Sequence, residues 1–420
     1  MKNIVVVGSG FGGLWSAIGA ARKLDELGVA AEEVGITVVD QNDFHSIRVR
    51  NYEEDLESTV IPLAKVLDPI GVRHVQGTVS DIDASGQAVT VDTPAGRQYL
   101  AYDRLVYALG SQLRRPSIPG LAEHSFDIDT YRAAKRLEQH LAGLPDSQRD
   151  NRDKYTVLVV GAGLTGIELA SELPGRLEAI RAAHDGNEPI RVILADSNSS
   201  IGSDMGEQAM AVIKQAMAAL AVETRTDVAI TSVDATGATL ASGEKIPTPT
   251  IVWCAGMQAN ELGKLLPVEK DRLGRIAVDE FMRVKGLKNV FAAGDAAWSM
   301  LDDPHTTVMS CQHGRPMGRY AGHNVAADLL GKPMLPLHID WYTTVLDLGP
   351  WGAVYTTGWD RQVIASGETA KITKQTINCR RIYPPLSGNR AEILASAAPQ
   401  VQRPPEVKLA DANSQTVLGA

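Results

Sequence analysis

Alternation between apolar runs and polar segments predicts a βαβ unit at the start of the chain. Residues 4–7 are β-branched and predict a strand, residues 14–27 predict a helix, and residues 36–40 predict a second strand. A glycine-rich turn with the spacing G-x-G-x-x-G joins the first strand to the helix and contains Gly8, Ser9, Gly10, Phe11, Gly12 and Gly13. A strand, this turn and a helix in that order are the context that a dinucleotide-binding fingerprint requires.

The same order recurs in the middle of the chain. Residues 155–160 predict a strand, and the turn that follows has the same spacing, with Gly161, Gly163, Leu164, Thr165 and Gly166. Both units continue to a second strand that ends in an acid, Asp40 in the first unit and Asp196 in the second. Two fingerprints in one chain predict two bound dinucleotides and electron transfer between them.

The glycines and the acids have separate physical tasks in such a site. In the first unit Gly8 allows a tight turn, Gly10 lets the backbone approach a pyrophosphate, and Gly13 permits close packing of helix and strand. The helix N-terminus directs N–H groups at the phosphates. An acid such as Asp40 can accept hydrogen bonds from ribose hydroxyls. No Arg or Lys stands in the four residues after Asp196, which favours NADH over NADPH.

The two units also continue in parallel. Short alternating segments predict a β-meander in each half, and each meander leads to a buried strand that ends in glycine, at Gly110 and at Gly256. The repeated order predicts an α/β protein with two Rossmann-like dinucleotide-binding domains, one inserted into the other, and a C-terminal α+β interface domain. We expect a discontinuous FAD-binding domain at residues 1–115 and 287–335, with an NAD(H)-binding domain inserted at residues 116–286. An interface domain is expected at residues 336–397, followed by a disordered tail at residues 398–420.

Composition narrows the class of protein. The 420 residues are 44% hydrophobic, which allows a large core in two or three domains, and the formal charge of -9 argues against nucleic acid as a partner. The three cysteines, Cys254, Cys311 and Cys379, form no C-x-x-C pair. We therefore expect no disulfide framework, no metal site and a reducing cytoplasm. We expect no signal peptide, and no apolar run approaches the roughly 20 residues of a membrane span.

Other segments carry candidate chemistry with open alternatives. Arg48, in a polar loop after the first acid, either faces cofactor phosphates or is a solvated charge. A short apolar strand is predicted to end in Gly294 and Asp295, which either places a carboxylate against a cofactor hydroxyl or is an ordinary turn. The aromatic residues within 341–359 would suit the face of a homodimer.

These motifs together resemble the two-dinucleotide flavoproteins of the pyridine nucleotide-disulfide reductase-like superfamily, which have a glutathione reductase-like fold. Within that superfamily the chain is most similar to type II NADH dehydrogenases and apoptosis-inducing-factor-like flavoproteins. The matches follow the family's order and lie at residues 8–13, 107–110, 161–173 and 291–295. The resemblance implies FAD at the first fingerprint and NADH at the second.

The resemblance also assigns site residues. It implies that Asp295 holds the ribityl chain of FAD and that Glu168 lies near the nicotinamide, although a helix-dipole role for Glu168 is an alternative. The predicted catalytic residues are Glu168, Cys311 and Gln312. The predicted cofactor contacts are Gly8, Ser9, Gly10, Phe11, Gly12, Gly13, Asp40, Gln41, Arg48, Val79, Ala108, Gly110, Gly161, Gly163, Leu164, Thr165, Gly166, Glu168, Asp196, Gly256, Gly294, Asp295, Met309 and Ser310.

Departures from the family pattern limit the assignment. No cysteine occurs between Asp40 and Leu67, where disulfide reductases carry a redox pair, so we expect no dithiol chemistry. The A-Q-x-A-x-Q quinone-site pattern of type II dehydrogenases is only partly kept, because Gln312 is retained while Pro316 replaces the second glutamine. Prolines break the C-terminal segment that carries membrane-binding helices in this family, which argues against peripheral membrane contact.

The predicted reaction is hydride transfer from NADH C4 to flavin N5, followed by release of electrons to a quinone-like or other small acceptor. A helix predicted from Ser310 would stabilise the anionic reduced flavin, and Gln312 or His313 would contact the acceptor, although His313 is equally explained as a surface side chain. The alternatives are a sulfide:quinone-type enzyme that uses Cys311, a ferredoxin reductase-like protein, and a signalling flavoprotein. Buried, inert cysteine is the simpler interpretation of Cys311.

Overall fold

A parallel sheet carries the first fingerprint. The computed structural model describes residues 1–147 and 152–405. The strands of this sheet are β1 (Lys2–Val7), β2 (Val34–Asp40), β5 (Arg73–Gln76), β9 (Arg104–Tyr107) and β20 (Val290–Ala292). Their order is β20-β9-β1-β2-β5, and every pair is parallel. Residues 4–7 of β1 are all buried, as expected for an uninterrupted apolar run in a sheet covered on both faces.

Two helices pack against this sheet and against each other, namely α1 (Phe11–Glu26) and α7 (Cys311–Leu329). Glycines lie where the helices cross. A Cβ atom on Gly322 would stand 2.1 Å from the Ser16 carbonyl oxygen, and one on Gly318 would stand 2.5 Å from that of Gly12. The backbones therefore touch at a distance that only glycine permits. This crossing holds the first turn of α7 beside the glycine turn at the start of α1.

A second parallel sheet carries the second fingerprint. Its strands are β11 (Tyr155–Val160), β12 (Ile190–Ala195), β13 (Val222–Arg225) and β17 (Thr250–Trp253), in the order β13-β12-β11-β17. Its helices are α4 (Tyr131–Ala142), α5 (Leu164–Ala182) and α6 (Glu207–Ala219). The predicted α/β class with two Rossmann-like units is confirmed, because both sheets place a glycine turn between a central strand and its helix.

Antiparallel segments complete each half. The predicted meander of the first half forms a sheet of β6 (Thr78–Asp83), β7 (Ala88–Thr93) and β8 (Gly96–Ala101). That of the second half forms a sheet of β14 (Ile230–Asp234), β15 (Gly237–Leu240) and β16 (Lys245–Pro247). Short two-stranded pairs are β3 (Phe44–Ser46) with β4 (Val60–Pro62), and β19 (Ile276–Ala277) with β21 (Ala297–Trp298). The short helices are α2 (Ala64–Leu67) and α3 (Leu121–His124).

The chain passes between the two halves through one pair of strands. The outgoing strand β10 (Ser111–Leu113) pairs antiparallel with the returning strand β18 (Met257–Ala259). A further backbone bond extends this pairing, because Arg114 N donates to Gly256 O at 2.9 Å. The two crossings are thus hydrogen-bonded to each other.

The C-terminal region packs on both halves. Its elements are β22 (Thr343–Asp347), β23 (Ala353–Thr357), β24 (Gln362–Gly367), α8 (Glu368–Thr376) and α9 (Arg390–Ser396). Leu346 and Val354 belong to the core of the second half, whereas Ile393 and Leu394 belong to the core of the first. This region therefore bridges the two dinucleotide folds.

Packing favours two changes to the predicted division of the chain. Leu266, Ile276 and Val284 lie in the core of the first half, so a boundary near residue 260 agrees with the packing better than one at 286. Residues 398–405, predicted to be disordered, instead contact the folded chain: Arg319 Nη1 donates to Gln400 O at 3.3 Å. The rest of the predicted tail, residues 406–420, lies outside the described residues.

The aromatic side chains predicted to suit a dimer face are used within the chain. Tyr342 and Trp359 stack with ring centroids 4.2 Å apart, and His305 also stacks on Trp359 with its ring centroid at 4.2 Å. Trp341 packs against the first core and Trp351 against the second. These rings therefore give no support to a dimer. Among the residues that the structure describes, no helix is both long and apolar enough to cross a bilayer.

The helix crossing gives a test of the fold. We expect Gly322→Ala to lower the free energy of unfolding by about 1–3 kcal/mol, because the new methyl group overlaps the backbone of α1. Gly175→Ala in α5 is the matched control, since its Cβ meets no atom within 4 Å; it should stabilise the protein by up to about 1 kcal/mol. Denaturant unfolding of both variants measures the difference, and equal effects would contradict the backbone contact.

Candidate active site

A cleft of about 1140 Å³ is lined by the glycine turns of both halves, by the start of α7 and by the C-terminal region. Every predicted cofactor-binding residue lines it except Gly13 and Gly166. The contacts of these residues with a cofactor stay predictions, but the fold brings the residues together in one cleft. In the described parts of the chain, no three His, Cys, Asp or Glu side chains are grouped so that they could bind a metal ion.

The glycines of the first turn divide into two kinds. A Cβ on Gly8 would lie 2.4 Å from the Ala108 carbonyl oxygen, and one on Gly13 would lie 1.8 Å from that of Gly8, so both are required by the turn itself. Gly10 differs, because a Cβ there would meet no protein atom within 4 Å although the residue lines the cleft. Because no side chain fills the space at Gly10, the pyrophosphate of a ligand can approach the backbone closely there.

The second turn repeats this division. A Cβ on Gly161 would lie 2.7 Å from Ala255 N, and one on Gly166 would lie 1.8 Å from the Gly161 carbonyl oxygen. Gly163 again meets nothing within 4 Å. Neither α1 nor α5 has an acidic residue in its first turn, so their N-terminal N–H groups are available to an anion. Both turns therefore fit the pyrophosphate of a dinucleotide.

Asp40 and Asp196, the acids that end the second strand of each unit, accept hydrogen bonds from the glycine turns. The Asp40 carboxylate accepts from Ser9 N at 2.7 Å and from Ser9 Oγ at 2.8 Å. Asp196 accepts from Ala162 N through one oxygen and from Asn198 N at 2.7 Å through the other. Each acid thus fixes the loop after its first strand. Both also line the cleft, where ribose hydroxyls are predicted to bind.

Arg48 and Asp295 meet through Ser111. Arg48 donates to Ser111 Oγ at 2.8 Å and forms an ion pair with Asp129, so its charge is paired within the protein. Its contact with a cofactor phosphate stays a prediction. Ser111 Oγ donates in turn to the Asp295 carboxylate at 2.7 Å. Burial raises the pKa of Asp295, while the Arg48 guanidinium opposes the rise. Asp295 is therefore held by Ser111 at the cleft, and its contact with a cofactor hydroxyl stays a prediction.

The start of α7 forms another wall. Gln312 Nε2 donates to Thr343 O at 2.8 Å, and Thr343 N donates to Gln312 Oε1 at 3.2 Å, so its amide is bound to the backbone of β22. His313 is fully buried, and its Nδ1 accepts from Val308 N at 2.8 Å. The surface interpretation of His313 is therefore wrong. Burial lowers its pKa to about 4, so the ring is neutral at pH 7.

Cys254 and Cys311 both line the cleft as free thiols. Burial raises the pKa of both thiols. A reactive cysteine needs a lowered thiol pKa, because the thiolate is the nucleophile. Neither side chain has the environment of an activated cysteine.

Glu168 has a partner that the motifs did not reveal. Lys374 Nζ, from α8, donates to Glu168 Oε1 at 2.6 Å and to Val345 O at 2.8 Å, and the backbone N–H of Asp347 also donates to Glu168. Burial raises the pKa of Glu168, and Lys374 opposes the rise. Burial alone would lower the pKa of Lys374, but the carboxylates of Glu168 and Asp347 hold it above the usual value. The pair is therefore a buried ion pair at the cleft.

Sequence reasoning also missed other residues that line the cleft, because they belong to no motif. Tyr52, which donates to Asp347 Oδ2 at 3.0 Å, as well as Asp129, Tyr342 and Asn378, line the cleft without belonging to any motif. They come from loops and from the C-terminal region. Only the fold brings them next to the glycine turns.

Comparisons agree with this geometry. The chain matches the pyridine nucleotide-disulphide oxidoreductase family over residues 2–318. It is 57% identical over 405 residues to an NADH dehydrogenase-like protein of Mycobacterium tuberculosis, covering 96% of this chain and 100% of that protein. It is 29% identical over 360 residues to the demethylphylloquinone reductase NdbB of Synechocystis sp., covering 84% and 85%.

Solved structures share the fold at low identity. NDH2 from Plasmodium falciparum in complex with NADH has a TM-score of 0.73 at 12% identity, covering 94% of this chain and 97% of that chain. The sulfide:quinone oxidoreductase from Aquifex aeolicus has a TM-score of 0.72 at 18% identity, covering 93% of each chain. From the family match and the close relative, the chain belongs to the pyridine nucleotide-disulphide oxidoreductase family.

Proposed function

We propose that the protein is an FAD-dependent oxidoreductase that accepts a hydride from NADH and passes electrons to a quinone-like acceptor. The observation that carries this proposal is the shared cleft: two glycine turns that each fit a pyrophosphate open onto one space with a buried Glu168–Lys374 pair. Relatives named NADH dehydrogenase-like protein and type II NADH:quinone oxidoreductase support the same reaction. When bound, the flavin supplies hydride acceptance and electron release.

The residues of the chain supply binding and orientation. The turn at Gly10 and the N-terminus of α1 would hold the FAD pyrophosphate, and the turn at Gly163 with the N-terminus of α5 would hold that of NADH. Asp295, held by Ser111, would bind the ribityl chain. The start of α7 would direct its positive end at the flavin.

Glu168 and Lys374 approach the cleft from different regions. Glu168 lies on α5, directly after the NADH turn, whereas Lys374 lies on α8 in the C-terminal region. An ammonium group has three donors, and the bonds to Glu168 and Val345 use two of them. Lys374 also lines the cleft, so we assign its remaining donor to a group bound there. We therefore assign Glu168 to the NADH side and Lys374, with the wall of Tyr342 and Thr343, to the acceptor side.

Location and assembly are further proposals. The free state of Cys254, Cys311 and Cys379 supports a reducing compartment, and we propose the cytoplasm. A small-molecule acceptor remains the proposed partner. A homodimer stays a prediction, and the stacking of Tyr342 and Trp359 inside the chain does not support it.

The glycine turns predict a reciprocal result. Gly163→Ala should fold normally and bind NADH about tenfold more weakly, because its methyl group enters the space of the pyrophosphate. Gly10→Ala is the matched variant and should weaken FAD retention while sparing the NADH site. NADH titration and FAD content after gel filtration measure the two effects. Loss of NADH affinity in Gly10→Ala alone would contradict the assignment of the turns.

The ion pair predicts separate effects on the two half-reactions. Glu168→Gln should slow anaerobic flavin reduction by NADH about tenfold, because positioning is lost, while reoxidation by quinone changes little. Lys374→Met should chiefly slow reoxidation. Stopped-flow absorbance measures both steps.

Glu172→Gln is the control for this experiment. Glu172 lies one turn further along α5 and forms an ion pair with Lys371 at 3.5 Å, and neither side chain lines the cleft. If Glu172→Gln slowed flavin reduction as much as Glu168→Gln, the charges would act only by holding the helices together.

A sulfide:quinone-type activity is the second candidate, because Cys311 lies in the cleft and the fold is shared with such an enzyme. Its raised thiol pKa argues against it. We expect Cys311→Ser to keep NADH:quinone turnover within about twofold of wild type, as does the control Cys379→Ser outside the cleft. Sulfide should not bleach the flavin of the wild-type protein. Sulfide-dependent bleaching that disappears in Cys311→Ser would establish the second candidate instead.

A further inference from the structure

A pair of guanidinium groups lies on α7 outside the lining of the cleft. Arg315 and Arg319 are one helical turn apart, and both stand over the ring of Trp15 on α1, with Cζ-to-centroid distances of 5.5 and 4.2 Å. Arg319 keeps only 2% of its surface exposed. Two residues near the end of the described chain contact the pair, because Gln402 accepts a hydrogen bond from Arg315 and Gln400 accepts one from Arg319.

Among the described residues, neither arginine has an acidic partner. Within residues 1–147 and 152–405 no carboxylate forms an ion pair with Arg315 or Arg319, whereas the buried Arg50 and Arg275 pair with Glu53 and Asp271 at 2.7 Å each. Burial lowers the pKa of Arg315 to about 10 and that of Arg319 to about 9. Arg381 adds a further positive charge near Arg315. Uncompensated charge of this kind is costly to bury.

Several N–H donors of this group also lack acceptors among residues 1–147 and 152–405. Arg315 Nη2 donates to Gln402 Oε1 at 2.7 Å, and Arg319 Nη1 donates to Gln400 O at 3.3 Å. In the described part of the chain, however, the Nε atoms of both arginines and Nε1 of Trp15 are buried without a partner. Three unsatisfied donors on three side chains in contact require an explanation, because buried donors are normally hydrogen-bonded.

We infer that Trp15, Arg315 and Arg319 form a binding site for a phosphate-class oxyanion. An oxyanion supplies several acceptors at once, and guanidinium forks match phosphate geometry. Two positive charges favour a dianion over a monoanionic carboxylate. Gln400 and Gln402 accept hydrogen bonds from Nη atoms of the two arginines, so the anion competes with these two bonds. The ligand is free phosphate or a phosphomonoester, which share this chemistry.

The test uses the FAD-loaded protein with excess NAD+, so that dinucleotide sites do not bind the added anion. Inorganic phosphate should raise the thermal midpoint of the wild-type protein saturably, compared with chloride at equal ionic strength. Arg319→Met keeps the aliphatic stem over Trp15 and should lose this rise, with phosphate affinity reduced at least tenfold. The exposed Arg390, which pairs with Asp25 at 2.8 Å, gives the control Arg390→Met, which should behave as wild type.

The sign of the stability change separates a binding site from a structural role. In chloride Arg319→Met should melt at or above the wild-type temperature, because an unneutralised buried charge has been removed. In saturating phosphate it should melt below wild type. An Arg319→Met protein that is less stable in both salts by the same amount would overturn the inference.

Calorimetric titration provides a second measurement that needs no variant. Phosphate should bind the wild-type protein with a stoichiometry of one per chain in the presence of NAD+. Tighter binding of glycerol 3-phosphate would identify a phosphomonoester as the ligand class, and equal binding would identify free phosphate. Absence of a one-to-one phosphate site would overturn the inference even if Arg319→Met did not fold.

Discussion

The contact of α1 and α7 through glycine is the constraint on which the rest of the structure depends. Gly318 and Gly322 let the two backbones meet at distances that any side chain would forbid. α1 begins at the first glycine turn and α7 begins at Cys311, so their contact fixes where the cleft receives its second wall. Gln312 then binds the backbone of Thr343 and fixes the C-terminal sheet to the same helix. Backbone geometry in one half thus positions residues that are distant in sequence.

Charged side chains in the cleft and next to it are paired with opposite charges. Lys374 pairs with Glu168 and Lys371 pairs with Asp347, both at 2.6 Å. Such pairs add little net stability, because desolvation opposes the attraction between the charges. Their value here is orientation, because each pair joins the C-terminal region to a dinucleotide fold or to its own sheet. The carboxylate of Glu168 and the ammonium group of Lys374 thereby reach the cleft from two different helices.

Local pattern was sufficient for much of the fold and for part of the site. The glycine spacings at 8–13 and 161–166 and the terminal acids Asp40 and Asp196 could be predicted because their physical reasons act within a few residues. Lys374 could not, since its partner Glu168 is 206 residues away and no motif connects them. His313 was equally ambiguous, because nothing local distinguishes a buried ring from an exposed one.

Arg48 shows the same limit in a different form. Its position in a polar loop was consistent with two environments, and the choice depended on Ser111 and Asp129, which lie in other elements. The predicted end of the second domain, at residue 286, stays a prediction that meets the same limit. Residues 266–284 carry apolar side chains that either core could accept, and only the tertiary packing places them in the first.

The paired crossing strands β10 and β18 have a consequence for how such proteins diversify. Both ends of the inserted half enter and leave at neighbouring points, at Leu113 and Met257, which are hydrogen-bonded partners in the same short ladder. A segment whose two ends lie side by side can be exchanged for a homologous segment without rerouting the remaining chain. The NADH half can in this sense be exchanged as a unit during evolution, provided that the incoming segment keeps the contacts with the C-terminal region, such as that of Glu168 with Lys374.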